Sequence, residues 1–322
     1  MSTLQFGRGG FIKIGKESTY GTIAASMPVS NRIISASFQK TQEKERKTHL
    51  SQSGSGGYQN GHFEVFLNVG GSIDLPLLYE GTGMLLEAAL GKSTTTDLGA
   101  SESPRYQHDY EPDTDGSLTS LSVGLQRGTG KYEVFLGAKV GSVNISGSAG
   151  EEITASFDLI CQDANARGTA TSSSFGSGKQ IFHFEAGTLS FDGTSYKLKS
   201  FDFSIDNKLD RRNVLGDKKT LEPVSNDIRD VQMSVTLEMT NDDLYTKYLN
   251  STTSDVTFSF TNSPDGDIFT ILLRNTYIVD YDDSVNSFGA LERSMTFVGE
   301  GDSSNEPIKL TMTNNQTTST AN

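Results

Sequence analysis

The sequence predicts a mainly β protein in which one order of strands, with a single short helix, occurs twice. Three observations predict this class. The chain has 322 residues with 33 glycines and many serines and threonines, which is typical of strands joined by frequent turns. Apolar and polar residues alternate over many short stretches, as in half-buried strands. The order strand, loop, strand, helix, hairpin, hairpin is then repeated, so we expect an internal duplication.

The first strand lies in a stretch that comes within one residue of a phosphate-binding loop. Residues 10–17 match G-x-x-x-x-G-K-[ST] except at Glu17, where a hydroxyl would hold magnesium. The inner residues 11–14 are bulky and β-prone, and no helical pattern follows Lys16. We therefore expect a strand that enters a turn, and no nucleotide site.

Each copy next has an alternating strand that leads into a charged segment. In the first copy, residues 34–38 precede the letters QKTQEKERKTH. In the second, residues 201–205 precede DNKLDRRNVLGDKK. We expect long loops at 45–62 and 207–229.

A strand that runs into a short helix follows in both copies. In the first, Thr82 can cap a helix that stops at Gly91. In the second, Thr240 or Asn241 can cap a helix that ends at Asn250. Two hairpins then close each copy, and glycines mark their turns.

Composition divides the chain into four parts. We expect a first domain with an N-terminal arm at 1–163, a small and polar linker at 164–179, a second domain at 180–302 and a polar C-terminal tail at 303–322. The last twelve residues of this tail, TMTNNQTTSTAN at 311–322, are expected to be disordered or ordered only on a partner. The insertion at 91–116 has no counterpart in the second copy.

The net charge of −13 is concentrated in the second half of the chain. It opposes ordinary nucleic-acid binding and docking to anionic lipid, both of which need basic surfaces. No apolar run reaches the length of a membrane helix, and the first residues lack a signal-peptide pattern. The single cysteine, Cys161, is expected to be a core residue, and the protein is expected to be made in the cytoplasm.

The sequence predicts no catalytic residue, no metal site and no cofactor. The four histidines have no metal-ligand spacing, and G-x-S-x-G is absent. Residues 111–116 resemble only the start of a calcium loop. Paired carboxylates for glycoside hydrolysis stay open as an alternative, but the chain has no tryptophan to form a sugar platform.

The main concentration of basic residues is Lys40, Lys44, Arg46 and Lys47, interleaved with glutamates. Either this is a solvated loop, or it is a protruding arm that meets an acidic partner. A second copy of the chain, through its more acidic second half, is one such partner.

Four segments together resemble phage tail tube proteins, the major tail proteins of long-tailed phages. They read IGKESTYGT, LPLLYEGTGMLLEAALG, NISGSAGEEITASFDL and FSIDNKLDRRNVLG, and with their order the resemblance covers most of residues 10–300. The insertion and the tail depart from the family pattern.

The resemblance implies two tandem tail-tube-like β-sandwich domains, each with one short flanking helix. It implies a structural, non-enzymatic virion protein that forms a ring of three chains with pseudo-six-fold symmetry. Stacked rings would form a hollow tube through which DNA passes without specific binding. Tape-measure, initiator and terminator proteins would be partners. The residues expected at contacts between subunits or rings are Lys40, Lys44, Arg46, Lys47, Asp210, Arg211 and Arg212.

Two alternatives accompany this interpretation. The chain resembles in general design other self-assembling β proteins, such as secretion-tube or virion-decoration proteins. A two-domain carbohydrate-active enzyme is the second alternative.

Overall fold

The computed structural model describes residues 10–46, 61–99, 105–128, 131–165, 168, 181–182, 187–239, 241–261, 266–284, 291–302 and 305–319. Most of the expected linker at 164–179 and residue Lys47 lie outside them. Within these ranges the chain is mainly β, as predicted, with two short helices. No helix in the described ranges is long and apolar enough to cross a membrane.

The first half contains β1 (Phe11–Lys16), β2 (Val29–Asn31), β3 (Ser35–Ala36), β4 (Gln39–Arg46), β5 (His62–Pro76), α1 (Gly83–Leu90), β6 (Gly91–Asp97), β7 (Tyr106–Pro112), β8 (Leu121–Gln126), β9 (Tyr132–Ser148), β10 (Thr154–Cys161) and β11 (Asp163–Ala164). The second half contains β12 (Gly187–Phe191), β13 (Thr194–Tyr196), β14 (Leu198–Asp206), β15 (Leu209–Arg212), β16 (Leu221–Ser225), β17 (Asp230–Glu238), α2 (Asp243–Leu249), β18 (Ser254–Thr261), β19 (Ile268–Asp282), β20 (Glu292–Val298) and β21 (Ile308–Asn314).

One antiparallel sheet runs through both halves, and we call it the shared sheet. Its order is β4–β5–β10–β9–β14–β17–β20–β19, and β3 continues the line of β4 along β5. The halves meet where β14 pairs with β9 over seven residue pairs, from Ser200 opposite Ser148 to Asp206 opposite Ser142. The halves are therefore joined by backbone hydrogen bonds as well as by the chain itself.

Two outer sheets pack against this shared sheet. The first has the order β2–β1–β8–β9, and the second has the order β13–β12–β18–β19–β21–β7–β6. Aromatic rings join the layers, with ring centroids 4.5 Å apart for Phe201 and Phe258 and 5.2 Å apart for Phe191 and Phe297. Burial of these large apolar side chains between the layers is the main stabilising contribution to each half.

The long strands β9 and β19 each belong to both layers. Sequence patterns indicated separate strands there, but each is one strand that changes partners along its length. The change occurs at a bulge, where Gly137 has φ 62° in β9 and Asn275 has φ 48° in β19. Positive φ is accessible to glycine and tolerated by asparagine, so these residues permit the bend.

Both helices lie where the sequence predicted them. Helix α1 begins after Thr82 and ends at Gly91, whose φ is 107°. Helix α2 ends at Asn250, but its N-cap is Asp242 rather than Asn241. The Asn241 carboxamide oxygen still accepts the backbone N–H of Asp243, which explains the one-residue difference.

Two other predictions can be scored here. Residues 11–16 form strand β1, as expected in place of a phosphate loop. The expectation of disorder was wrong for residues 311–314, which belong to β21; this strand pairs with β19 on one side and with β7 of the insertion on the other. Ile308, Leu310 and Met312 alternate toward the core and are buried, which stabilises this strand without a partner chain.

Candidate assembly surface

The face of the shared sheet opposite the outer sheets is concave and polar. Strands β10 and β14 bury every second residue, among them Phe157 and Phe203, and turn the intervening residues outward. A depression of about 810 Å³ extends across this face. Small polar side chains from five strands line it: Ser146, Thr154, Ser200, Ser234, Ser294 and Thr296.

The charges that line the depression are all negative. They belong to Glu151, Glu152, Asp202 and Asp280, and none of the described lining residues is lysine, arginine or histidine. Asp202 accepts a hydrogen bond of 2.9 Å from the Asn144 carboxamide. Such a surface repels phosphate groups, because it offers no cation to replace their counterions.

Two lysines lie at the ends of this sheet face and pair with carboxylates there. Lys199 contacts Glu292, and the Lys208 ammonium lies 2.7 Å from an Asp206 oxygen. Burial acts to raise the pKa of Asp206, but hydrogen bonds from Lys208 outweigh it and leave the pKa lowered. Hydrogen bonds from Ser284 likewise lower the pKa of Asp282 on β19. Both carboxyls are therefore ionised at neutral pH.

The joint between the halves is anchored by Asn207, which is 2% exposed. Its carboxamide nitrogen donates to the carbonyl oxygens of Ala89 in α1 and Val140 in β9, both at 2.9 Å. The Arg229 guanidinium donates to its oxygen at 2.6 Å. One buried side chain thus ties the end of β14 to the first half. No sequence motif predicted this role of Asn207.

The shared sheet is open at both ends within the described residues. At one end, β3 and β4 pair with β5 on one side only. At the other end, residues 277–282 of β19 pair with β20 on one side only. Exposed strand edges present unpaired backbone groups that can accept a further strand.

The predicted contact residues of the first half lie along β4. Lys44 and Arg46 are exposed on this strand. Lys40 is also exposed, and its ammonium lies 2.6 Å from Asp163 and 3.0 Å from the Ala164 carbonyl oxygen. Lys47 lies outside the described residues.

The predicted contact residues of the second half lie on the β15–β16 hairpin. Arg211 donates to the carbonyl oxygens of Val69 at 2.5 Å and Cys161 at 3.3 Å, so it holds the hairpin on the first half. Asp210 accepts from Asn226, and the Arg212 backbone donates to Thr220. Cys161 is buried as expected, which raises its pKa.

The tip of this hairpin is apolar and exposed. Leu215 has essentially its full side chain in solvent, and Val214 is 42% exposed. No pattern in the sequence marks these two apolar residues, although their charged neighbours were predicted as contact residues.

The two helices differ in their cover. Every residue of α1 is buried, whereas only Leu244 of α2 is. Helix α1 lies beneath the inserted hairpin β6–β7, where Ser93 donates to Glu87 at 3.0 Å. No strand of the described residues covers α2 in this way, and Tyr245 and Leu249 are 41% and 62% exposed.

Strands β6, β7 and β21 form a second connection between the halves, which we call the clasp. Arg105 pairs with Asp267 at 3.0 Å, with both side chains largely buried. Arg274 pairs with Glu111 at 3.1 Å, so the carboxylate that resembled a calcium ligand has an ordinary ion-pair partner. No group of three or more potential metal-ligating side chains occurs within the described ranges.

A buried histidine lies at the centre of the clasp. His108 is 1% exposed and bonds to Thr95 at 2.9 Å and to Asn314 at 3.1 Å. Burial lowers the pKa of His108, although its bond to Asn314 opposes the shift. The neutral ring fits this site, because one nitrogen can donate to the Asn314 carboxamide oxygen while the other accepts from Thr95.

The open edges of the shared sheet are features of a subunit that can associate with further copies. A family model for phage tail tube protein matches residues 7–314. The chain belongs to the family of phage tail tube proteins. A search of curated proteins finds no match.

Membership of this family makes the chain a structural protein of the phage tail. It also implies self-association and contact with other tail proteins in general terms. Tail tube proteins form a structural family, so the carbohydrate-active alternative gains no support.

Proposed function

We propose that the chain forms closed rings of three copies, which stack into the hollow tube through which phage DNA leaves the capsid. Each copy contributes two equivalent domains, at 1–163 and 180–302, so a ring presents six similar units. The tape-measure, initiator and terminator proteins of the tail are its expected partners in the virion.

The strand register supports the equivalence of the halves. In β9 the extra residue of a bulge opposite β10 is Gly141, and in β19 the extra residue opposite β20 is Val279. The positive-φ residues Gly137 and Asn275 precede these bulges by the same number of positions. Matching irregularities at a constant spacing favour duplication, because bulges are kept as designed features of a fold.

The concave acidic face of the shared sheet is the observation that carries the proposal. A sheet that curves around a channel must turn one face inward, and DNA must pass that face without binding. Asp202, Asp280 and Glu151 repel the DNA phosphates, and serine and threonine hydroxyls keep the wall hydrated. The outer sheets, clasp and helices then lie away from the channel.

The β15–β16 hairpin and the β4–β5 arm are proposed to contact the next ring. They lie together, because Lys218 of the hairpin pairs with Glu64 of the arm and its carbonyl accepts the Leu67 N–H. The exposed Leu215 supplies an apolar anchor, and Asp210, Arg211 and Arg212 lie on the same hairpin.

Sedimentation and negative-stain electron microscopy of the purified chain over a range of concentrations test the proposal. We expect hollow rings or tubes with three-fold symmetry and six lobes above a critical concentration. Rings of six chains would contradict the stoichiometry but keep the tube. A chain that stays monomeric at all concentrations, even when seeded with preformed tails, would overturn the proposed function.

A further inference from the structure

We propose that the open edge of β19 takes the open β3–β4 edge of a second copy, in the register that β9 and β14 use inside one chain. Residues 280–283 would pair antiparallel with residues 38–41 of the neighbour. Opposite charges would select this partner. The inference rests on the proposed ring and specifies how its chains are joined.

The β3–β4 edge corresponds to β14 in register. Ala36 lies opposite Ile73 of β5, and Phe201 lies opposite Val235 of β17. Two residues later each strand buries a phenylalanine, Phe38 or Phe203. Each strand is also the first in its half of the shared sheet. Strand β9 pairs with the side of β14 that faces away from β17. We therefore expect a strand to pair with the corresponding side of β3–β4, which faces away from β5.

The free edge of β19 corresponds to the edge of β9 that β14 occupies. Val143 lies opposite Phe157 of β10, and Tyr281 lies opposite Met295 of β20. The bulges at Gly141 and Val279 fix the alignment of β9 with β19, because after a shift of one residue the two bulges would no longer occupy equivalent positions.

Combining the two correspondences gives a definite register. Ser204 lies opposite Asn144 within the chain, which translates to Gln39 of one copy opposite Asp282 of the next. Ile205 lies opposite Val143, which translates to Lys40 opposite Tyr281.

A side chain amide supports this register. Asn207 follows the last paired residue of β14 and donates to Val140 and to the carbonyl end of α1. The residue at the matching register position is Gln42 within β4, which is half-buried and donates long bonds of 3.3 Å to the carbonyl oxygens of Glu43 and Phe66. Gln42 can thus donate to the corresponding carbonyl groups near α2 of a neighbouring chain.

Charge distinguishes the joint between copies from the joint inside a chain. The β19 edge carries Asp280, Asp282 and Asp283, all exposed, while residues 38–41 of the facing edge include Lys40 and no carboxylate. The Asp163 carboxylate that Lys40 contacts also has Lys219 at 2.7 Å, so Lys40 can turn toward a neighbour without leaving it unpaired. Two β19 edges facing each other would oppose like charges, which destabilises a strand pair.

Cysteine cross-linking tests the register. Chains carrying Gln39→Cys are mixed with chains carrying Asp282→Cys, assembled and oxidised. We expect a covalent dimer on non-reducing gels, formed only when both variants are present in assembled material. The native Cys161 is fully buried and does not compete. The intrachain pair Ser204→Cys with Asn144→Cys is the positive control, because the structure places these residues opposite each other.

Replacing Asp282→Cys by Asp283→Cys is the matched negative control, since neighbouring strand residues point to opposite faces. Tubes that form without the 39–282 cross-link, or that cross-link equally at 283, would overturn the register while leaving the tube intact. Failure to form any tube from the unmodified chain would instead overturn the proposed function.

Charge reversal supplies a second measurement that does not depend on disulfide geometry. Asp282→Lys with Asp283→Lys is expected to raise the critical concentration for assembly by at least about 5-fold, because residue 283 is the diagonal neighbour of Lys40 in this register and like charges across a strand pair are destabilising. Asp113→Lys with Asp115→Lys makes the same change of net charge on residues that belong to neither edge, and is expected to change it less than about 2-fold. Equal effects of both variants would contradict charge selection at this joint.

Discussion

Replacement of Asn207 by alanine tests how the two halves are held together. The change removes the carboxamide that donates to Ala89 and Val140 at 2.9 Å and accepts from Arg229 at 2.6 Å. The site is 2% exposed, so water cannot readily replace these bonds. Leaving a buried polar group unsatisfied costs about 1–3 kcal/mol, and Arg229 is half-buried and keeps some access to water. We therefore expect the free energy of unfolding to fall by about 2–4 kcal/mol for the three groups together.

The assay is equilibrium unfolding in urea below the critical concentration for assembly, monitored by tyrosine fluorescence and circular dichroism. Asn144→Ala is the matched control, because its carboxamide bridges the same joint to Asp202 through a hydrogen bond that is exposed to solvent. We expect that control to change stability by less than about 0.5 kcal/mol. Hydrogen exchange of residues 83–91 should rise only in Asn207→Ala. A loss below about 1 kcal/mol, or equal losses in both variants, would refute the claim that a buried amide fixes the joint.

Three further predictions concern the clasp, the inner wall and the bend of β9. Because the pKa of His108 is lowered in the folded state, stability should be fully present above the ordinary histidine pKa of about 6.5 and fall as pH decreases below it. In thermal melts between pH 7.5 and 5, the melting temperature of His108→Gln should fall less with decreasing pH than that of the unmodified chain. An equal fall in both proteins would contradict this role of His108. Glu151→Lys with Asp202→Lys should make tubes retain DNA at low salt and release it at high salt, as a filter-binding assay would show, and salt-independent retention would argue against an electrostatic wall. Gly137→Ala should lower the free energy of unfolding by about 1–2 kcal/mol because of the positive φ of Gly137 and the close Tyr20 ring. Asn275→Gly should leave the free energy of unfolding nearly unchanged in the same assay. An unchanged stability of Gly137→Ala would contradict the claim of strain.

Local signals in the sequence were sufficient to predict the helices. Gly91 marks the end of α1 through its positive φ, whereas Thr82 occupies the N-cap position but donates its hydroxyl to the Leu78 carbonyl oxygen and does not cap the helix. Strand β14 was equally accessible, since its alternation of apolar and polar residues survives in the structure. The mainly β class follows from such local patterns.

The clasp could not be predicted in the same way. It pairs β7 with β21, which lie about two hundred positions apart, and no local pattern reports such a pairing. A signal for β21 alone was present, because Ile308, Leu310 and Met312 alternate in a segment judged by its polar composition. The difference arises because composition reports average polarity, whereas a strand needs only every second residue to be apolar.

The candidate surface was predicted only in outline. The charge of the chain indicated a surface that avoids nucleic acid, but curvature and alternation across five strands decide which acidic residues share one face. Arg211 shows the converse limit, because its charge suggested a contact between subunits while its guanidinium donates to backbone carbonyls of its own chain.

The most direct test of the account is a cryo-electron microscopy reconstruction of the assembled tube at side chain resolution. The account predicts three chains per ring, with the shared sheet as the inner wall and Asp202 and Asp280 facing the channel. A wall formed by the outer sheets, with the acidic concave face turned away from the channel, would contradict it.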